Sequence, residues 1–382
     1  MVAEDFSNVD ENELAYWLAF NSLSGTGLGF RKIKSLYDHF HGLKEAWQAP
    51  AKELGRLPGL NQSIVERLLE QKKLIEPQDL LEKLNNSGVE ALYYFNPDYP
   101  SLLRQINDPP LVLFTKGQFR ACNFNCAVGI VGTRKPSVYG EKLAKNLAKN
   151  LAEHGVLIVS GMAYGVDSLA HWGAVESGGM TVAVLGCGVD LCYPSSNKRL
   201  YSAILEKGQG AMVSEYFPGT QPQKWHFPAR NRIISGLCKA IAVIEAGESS
   251  GALITANLAF EQSREVFAIP GRIDSPMSIG TNGLIAKNIA HLLRDHNDIL
   301  REMGWASKNT ENCVATAVAL QGRELEVYEL MSNEPSHFDY LIEKTGMNTG
   351  ELSAILTMLE LAGVISRLPG DWYTRDKQAF KI

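Results

Sequence analysis

A chain of 382 residues is long enough for two or three domains. Its 45% apolar and 21% charged residues are ordinary for a soluble globular protein. A net charge of −5 excludes a globally basic nucleic-acid binder but not a local basic patch. The first ten residues are acidic and polar, unlike a signal peptide, and no apolar run approaches the ~20 residues of a membrane span. A cytoplasmic protein without membrane attachment is expected. The six cysteines, Cys122, Cys126, Cys187, Cys192, Cys238 and Cys313, form no CxxC pair and sit mostly in or beside apolar runs. They are expected to be free thiols, and neither a metal nor a cofactor is expected.

In chain order, residues 11–76 read as short helices. Two turns there look alike. Leu23-Ser24-Gly25-Thr26-Gly27-Leu28-Gly29 precedes a helix over 30–40, and Leu57-Pro58-Gly59-Leu60 precedes one over 62–71. A Gly-containing turn between helices resembles a helix-hairpin-helix unit, and two in tandem resemble a SAM-like domain, assigned to 1–76. Such a turn can offer backbone N–H groups to a DNA phosphate. The other reading is a packing or protein-contact module. Glu66 and Glu70 set against Arg67 and Lys72 on the second helix favour it. Residues 77–119 form a connector with short strands over 91–95 and 111–114, expected to extend one edge of a larger sheet.

The stretch 127–282 organises the chain. Five apolar runs, at 126–131, 156–159, 181–185, 240–244 and 266–269, alternate with helical patterns such as 141–153 and 252–264. This alternation predicts an α/β fold with a doubly wound, mostly parallel sheet, extending the core domain to 77–305. Such sheets bind ligands at the carboxyl ends of their strands. The unusual residues fall there: Gly132-Thr133-Arg134, Ser160-Gly161, Gly186-Cys187-Gly188, Glu245 to Gly251, and Pro270-Gly271-Arg272. A polar linker follows at 306–320. Residues 321–382 then read as three helices, at 324–331, 338–344 and 349–361, and a hairpin around Pro369-Gly370-Asp371, the order of a winged helix. This segment has six Lys/Arg against ten Asp/Glu, and its third helix has no Lys or Arg. A phosphate-contacting surface needs cations, so a protein-contact role is expected of it.

The core is the electropositive part, with fifteen Lys/Arg against twelve Asp/Glu over 128–290. The run from Lys224 through Trp225, His226, Phe227 and Arg230 to Arg232 packs three cations, two aromatics and a histidine together. Cations pair with phosphates and aromatic faces stack on unpaired bases, which fits single-stranded nucleic acid. In the other reading Trp225 and Phe227 are core, and the arginines pair with Glu215, Glu245 or Glu261. Ser249-Ser250-Gly251 opens a helix and forms a ready anion site. Gly161 and Gly165 with Asp167 read either as a phosphate turn or as a structural one. His171 lies one turn beyond Asp167, but no nucleophile accompanies the pair and His171 is expected to be structural. No catalytic residue is assigned. A dinucleotide fingerprint and a Walker A lysine motif are both missing.

Six motifs occur in one order: Gly132-Thr133-Arg134; Ser160-Gly161 with Ala163, Gly165, Val166 and Asp167; Gly186 and Gly188 with Asp190, Tyr193 and Pro194; Phe227-Pro228 with Arg230-Asn231-Arg232-Ile233-Ile234; Ser250-Gly251-Ala252 with Thr255-Ala256; and Pro270-Gly271. Together they closely resemble the bacterial DNA-processing protein A family (DprA, also called Smf), in its long form with both flanking domains. The resemblance implies a Rossmann-like core that binds single-stranded DNA as a homodimer. It also implies loading of the RecA recombinase in natural transformation, past single-strand-binding protein. It places Gly132, Arg134, Lys224 and Phe227 in the DNA-binding pocket. Thr133, Ser160, Gly161, Asn231, Ser249, Ser250 and Gly251 are further candidates from their motifs, and Arg230 and Arg232 from charge and spacing. The fold is also similar to that of cytokinin-activating phosphoribohydrolases, which use a PGG loop and a Glu. A nucleotide or nucleoside-phosphate hydrolase is therefore the alternative function. Here the corresponding turn, Glu245 to Gly251, lacks the double glycine.

Overall fold

A computed structural model describes residues 11–23, 26–305, 322–331, 335–361 and 364–375. The expected linker, Cys313, and Ser24-Gly25 of the first turn lie outside these residues. The chain divides into two compact units, Met1–Trp305 and Ala306–Ile382.

The larger unit is built on a nine-stranded sheet: β1 (Glu90–Tyr93), β2 (Val112–Gly117), β3 (Ala127–Val131), β4 (Leu157–Ser160), β5 (Thr181–Val184), β6 (Gly210–Ser214), β7 (Ala240–Val243), β8 (Glu265–Ala268) and β9 (His291–Leu292). Their order is β1-β2-β6-β5-β4-β3-β7-β8-β9. Pairing is antiparallel for β1 with β2 and for β2 with β6, and parallel from β6 to β9. The five expected core strands are β3, β4, β5, β7 and β8, and the expected edge strands are β1 and β2. The reading missed β6, whose Gly-Ala-Met-Val-Ser sequence has only three apolar residues, yet all five of its residues are buried. From β3 the chain winds one way to β6, then returns to β7 on the other side of β3. The gap between the β3 and β7 loops is thus a topological switch point.

Covered faces explain the unbroken apolar runs. Val128 and Ile130 of β3 pack with Leu147 and Leu151 of the Val138–Glu153 helix and Ala170 and Ala174 of the Val166–Glu176 helix. Ala127 and Val131 face a second, larger core with Ile233 and Leu237 of the His226–Leu237 helix and Ala256 of the Gly251–Glu261 helix. That core continues into the N-terminal helices through Trp17, Phe20, Ile33, Leu36 and Leu68. The Trp17 ring lies 5.6 Å from Tyr93 of β1, stacked, and 5.7 Å from both Tyr37 and Phe95. The N-terminal helices therefore share a core with the sheet.

The two glycine turns pack reciprocally. Gly27 and Gly59 both have positive φ, 80° and 83°. A Cβ on Gly27 would lie 3.8 Å from Ile64, five residues beyond Gly59. One on Gly59 would lie 3.9 Å from Lys32, five residues beyond Gly27.

The smaller unit has helices Arg323–Leu330, Phe338–Thr345 and Thr349–Leu361, with a three-stranded sheet in the order β10 (Ser336–His337), β12 (Trp372–Arg375), β11 (Ile365–Leu368). Val327, Leu341, Leu352, Leu356, Ile365 and Tyr373 form its own core. This is the expected winged helix.

Because one core spans the N-terminal helices and the sheet, Trp17→Ala is expected to destabilise the whole larger unit by about 3–5 kcal/mol, the usual loss for a buried aromatic. In a urea titration the helical and tertiary signals of that unit should shift together.

Candidate nucleic-acid interface

The loops at the carboxyl ends of the parallel strands are tied to one another in the order of the sheet. His226, at the start of the helix after β6, donates from Nδ1 to Gly186 O of the β5 loop at 3.0 Å. One turn on, Arg230 Nη1 donates to Gly161 O of the β4 loop at 2.7 Å and to Val184 O. Asn197 Nδ2 donates from beyond the β5 loop to Met162 O at 2.8 Å. Val166 N–H donates to Thr133 O (3.2 Å), joining the β4 and β3 loops, and Thr133 N–H donates to Glu245 O (2.8 Å), joining β3 to β7 across the switch point.

Glu245 is buried there. Its carboxylate accepts from Ser137 N–H at 2.8 Å and from Ser137 Oγ at 2.5 Å. Ser137 Oγ in turn accepts from Gly140 N–H at 3.1 Å and caps the Val138–Glu153 helix. A Cβ on Gly140 would come within 2.3 Å of the carboxylate. The acid is thus held at the positive end of a helix, a favourable place for it.

The expected site residues divide into two sets. Arg134 is exposed, and so is Lys224; neither makes an ion pair among the described residues. Phe227 is half-buried. Its ring lies over Gly186, where a Cβ would sit 3.0 Å from the ring carbon Cδ1, and 5.4 Å from the Tyr193 ring at 35°. Gly132 has no room for a side chain, because a Cβ would meet Val166 at 2.6 Å. Thr133 works through its main chain, while its hydroxyl accepts from Lys135 N–H at 3.2 Å. Asn231 is half-buried, with Nδ2 3.5 Å from Gly251 O. Ser249 and Gly251 are exposed, and Ser250 Oγ accepts from Ala252 N–H at 3.3 Å as the helix cap.

Four expected contacts, Ser160, Gly161, Arg230 and Arg232, take internal roles instead. Ser160 is buried, and its hydroxyl donates to Ile130 O at 2.6 Å. Arg230 is buried against Gly161, where a Cβ would overlap the guanidinium at 2.5 Å. Arg232 forms a two-bond pair with Glu215, at 2.8 and 2.6 Å, and donates from Nε to Asp108 O at 2.8 Å. A cation held this way by chain atoms is withdrawn from phosphate contact.

Beneath the loops lies a buried polar cluster in which Asp167 and His171, noted in the sequence, are joined by Arg230, which was not expected there. Asp167 accepts from Gly161 N–H at 3.1 Å and Ala163 N–H at 3.4 Å. Burial pushes its pKa up, opposed by the Arg230 charge and these N–H groups, while burial draws Arg230 down. His171 donates from Nδ1 to Thr181 Oγ1 at 2.7 Å, since the Thr181 hydroxyl itself donates to Ile158 O at 2.8 Å. Burial first, and then the Arg230 charge, press the His171 pKa down to about 3. His171 is a neutral core histidine, as expected.

In the winged-helix unit each described cation lies against a partner. Arg323 pairs with Glu351 and Arg367 with Asp371, Lys344 lies over the Tyr340 ring, and Arg375 lies 4.4 Å from the Tyr328 ring centre.

Two outcomes test this cluster. Arg230→Ala leaves Asp167 buried without its cation, so unfolding free energy should fall by about 3–5 kcal/mol. The second concerns acid. Folded His171 protonates near pH 3 and unfolded histidine near 6.5, so the unfolded chain binds more protons between these values. Its contribution is full above about pH 6.5 and is lost at about 1.4 kcal/mol per pH unit as pH falls. Urea unfolding at pH 7, 6 and 5 should show that slope reduced by this amount in His171→Gln.

The family model described as DNA recombination-mediator protein A matches residues 90–304, and that described as the DprA winged helix domain matches 314–371. Protein Smf of Synechocystis is 33% identical over 95% of this chain and 99% of its own length. The crystal structure of DNA processing protein A from Streptococcus pneumoniae is 34% identical, covers 77% of this chain and 98% of its own, and superposes with a TM-score of 0.64. That of DNA processing protein A from Helicobacter pylori, reported for its single-stranded DNA binding mode, is 30% identical over 56% of this chain and 95% of its own, with a TM-score of 0.51. With a Rossmann-like sheet core, a winged helix and a full-length relative above 30% identity, the chain belongs to the DNA recombination-mediator protein A family.

Proposed function

We propose that this chain binds single-stranded DNA at the carboxyl edge of its parallel sheet, protects incoming DNA in the cytoplasm, and loads the RecA recombinase onto it during natural transformation. One observation carries the reading. Phe227 is held half-exposed over a glycine, on the same loop edge as Arg134 and Lys224, exposed cations with no ion pair among the described residues. A half-exposed ring with exposed cations on the same edge suits an unpaired base and its phosphates. The Helicobacter relative's single-stranded DNA binding supports the ligand, and the family's description as a recombination mediator supports the loading role. A homodimer and a contact with single-strand-binding protein are part of the proposal. So are the SAM-like division at 1–76 and a protein-contact role for the acidic winged helix, whose described cations lie against partners of their own. No helix among the described residues is long and apolar enough to cross a membrane.

The proposed role is binding without turnover. A hydrolase at this edge would look to Glu245 or Glu248 as its acid; both carboxylate oxygens of Glu245 are engaged by Ser137, while Glu248 is exposed. Incubation with nucleoside monophosphates should release no free base.

The pocket assignment is tested by affinity for a short oligothymidylate at several salt concentrations. Arg134→Ala should lose about 1–3 kcal/mol and flatten the log–log salt slope by roughly 0.7, one single-strand phosphate contact. Phe227→Ala should lose about 1–3 kcal/mol with the slope unchanged, because stacking releases no counterion. Equal slopes in the two variants would overturn the assignment.

A further inference from the structure

Lys224 stands on the connection from β6 to the His226–Leu237 helix, and that connection is clamped at both ends to one loop. At the helix end His226 Nδ1 donates to Gly186 O at 3.0 Å, with the Tyr216 ring stacked on the imidazole at 3.8 Å. At the β6 end Gly188 N–H donates to Thr220 O at 2.9 Å, and Asp190 Oδ1 accepts from Gly219 N–H at 2.9 Å. Gly186, Gly188 and Asp190 all belong to the loop after β5. Gly188 has no room for a side chain there. A Cβ would lie 2.5 Å from Asp190 Oδ1, 2.8 Å from Gly219 N and 3.0 Å from Phe217 O. Residues 221–225 alone bridge the two clamps, and Pro222 fixes one φ among them. By charge Asp190 is out of place. It is exposed, makes no ion pair among the described residues, and stands on an edge proposed to meet phosphates, where a carboxylate repels.

We infer that Asp190 is a positioning residue. It holds the connection through Gly219, and so fixes the place of Lys224 without touching the strand itself. The inference rests on the single-strand reading above and adds a residue that neither charge nor stacking would select. Of the two bonds at the β6 end, the one from Gly188 is main chain to main chain, and only the Asp190 bond depends on a side chain. Without it the connection is held there by a single bond. A looser connection spreads Lys224 over more positions, and the cost of ordering it falls on binding. Two substitutions then act in opposite directions. Asn keeps an acceptor oxygen for Gly219 N–H and removes the charge, whereas Ala removes both. A residue acting by charge alone would give tighter binding with either.

The test measures affinity of the full chain for a short oligothymidylate at several salt concentrations, with Lys224→Ala, Asp190→Ala, Asp190→Asn and the Asp190→Ala, Lys224→Ala double variant. Lys224→Ala should bind about 5- to 150-fold more weakly, the usual loss for one charge-assisted contact, with the log–log salt slope flattened by roughly 0.7. Asp190→Ala should weaken binding and flatten the slope in the same direction, by no more than Lys224→Ala does. Asp190→Asn should bind at least as tightly as the parent. The double variant should bind within about twofold of Lys224→Ala, because nothing is left to position. Brief trypsin treatment without DNA should cut after Lys224 faster in Asp190→Ala than in the parent or Asp190→Asn, and equal rates would refute the inference. So would Asp190→Ala binding as tightly as the parent while Lys224→Ala is weakened, or two losses that multiply in the double variant; the single-strand reading then stands. If Lys224→Ala, Arg134→Ala and Phe227→Ala all bind like the parent, that reading falls and the inference with it.

Discussion

The loop edge depends on a guanidinium taken almost wholly out of water. Burying such a charge costs several kcal/mol unless its surroundings answer it. For Arg230 the answer is the carbonyls of Gly161 and Val184 and the nearby carboxylate of Asp167. The consequences spread outward. Gly161 must be glycine because the guanidinium occupies the place of its side chain. Asp167 collects the N–H groups of Gly161 and Ala163 and so shapes the β4 turn. His226 lies four residues before Arg230, on the same helix face, and ties down Gly186. With that face fixed to two loops, Phe227 is left turned towards solvent. The ring's exposure is therefore a by-product of how its helix is anchored.

The same logic applies across the switch point. Where the β3 and β7 loops part, an open sheet leaves a crevice lined by main-chain N–H groups. Here Glu245 enters it and is consumed in holding Ser137 and the start of the Val138–Glu153 helix. A related fold could use an acid here for chemistry. This chain uses it as a fastener, and that keeps the first turn of the helix in register with the Thr133 main chain.

Much of this was legible in the sequence. Apolar runs of four to six residues between helical periods gave β3, β4, β5, β7 and β8 nearly to the residue, because strands covered on both faces leave that record. β6 left almost none, because Gly210 and Ser214 bound a run of only three apolar residues. The site was legible in part. Arg134 was singled out by its Gly turn, and Lys224 and Phe227 by cations packed among aromatic residues. Arg230 was misread because its neighbours in the chain are cations, although helical spacing places it with His226, Ile233, Ile234 and Leu237 on the buried face. That periodicity was the available signal. The Arg232 pair with Glu215 and the Ser137 cap by Glu245 could not be read this way, since their partners lie 17 and 108 residues off.

The ties between loops also bear on how such a chain can diverge. Gly186, Met162, Thr133 and Glu245 all accept through main-chain carbonyls, which every amino acid carries. The loop tips, where the exposed rings sit, lend no side chain to these ties. Mutation can therefore exchange Tyr164 or Tyr193 for another side chain while the loop roots keep their places. In a lineage of such proteins the frame and the contact surface are separately heritable, and preference among ligands can drift while the fold stays fixed.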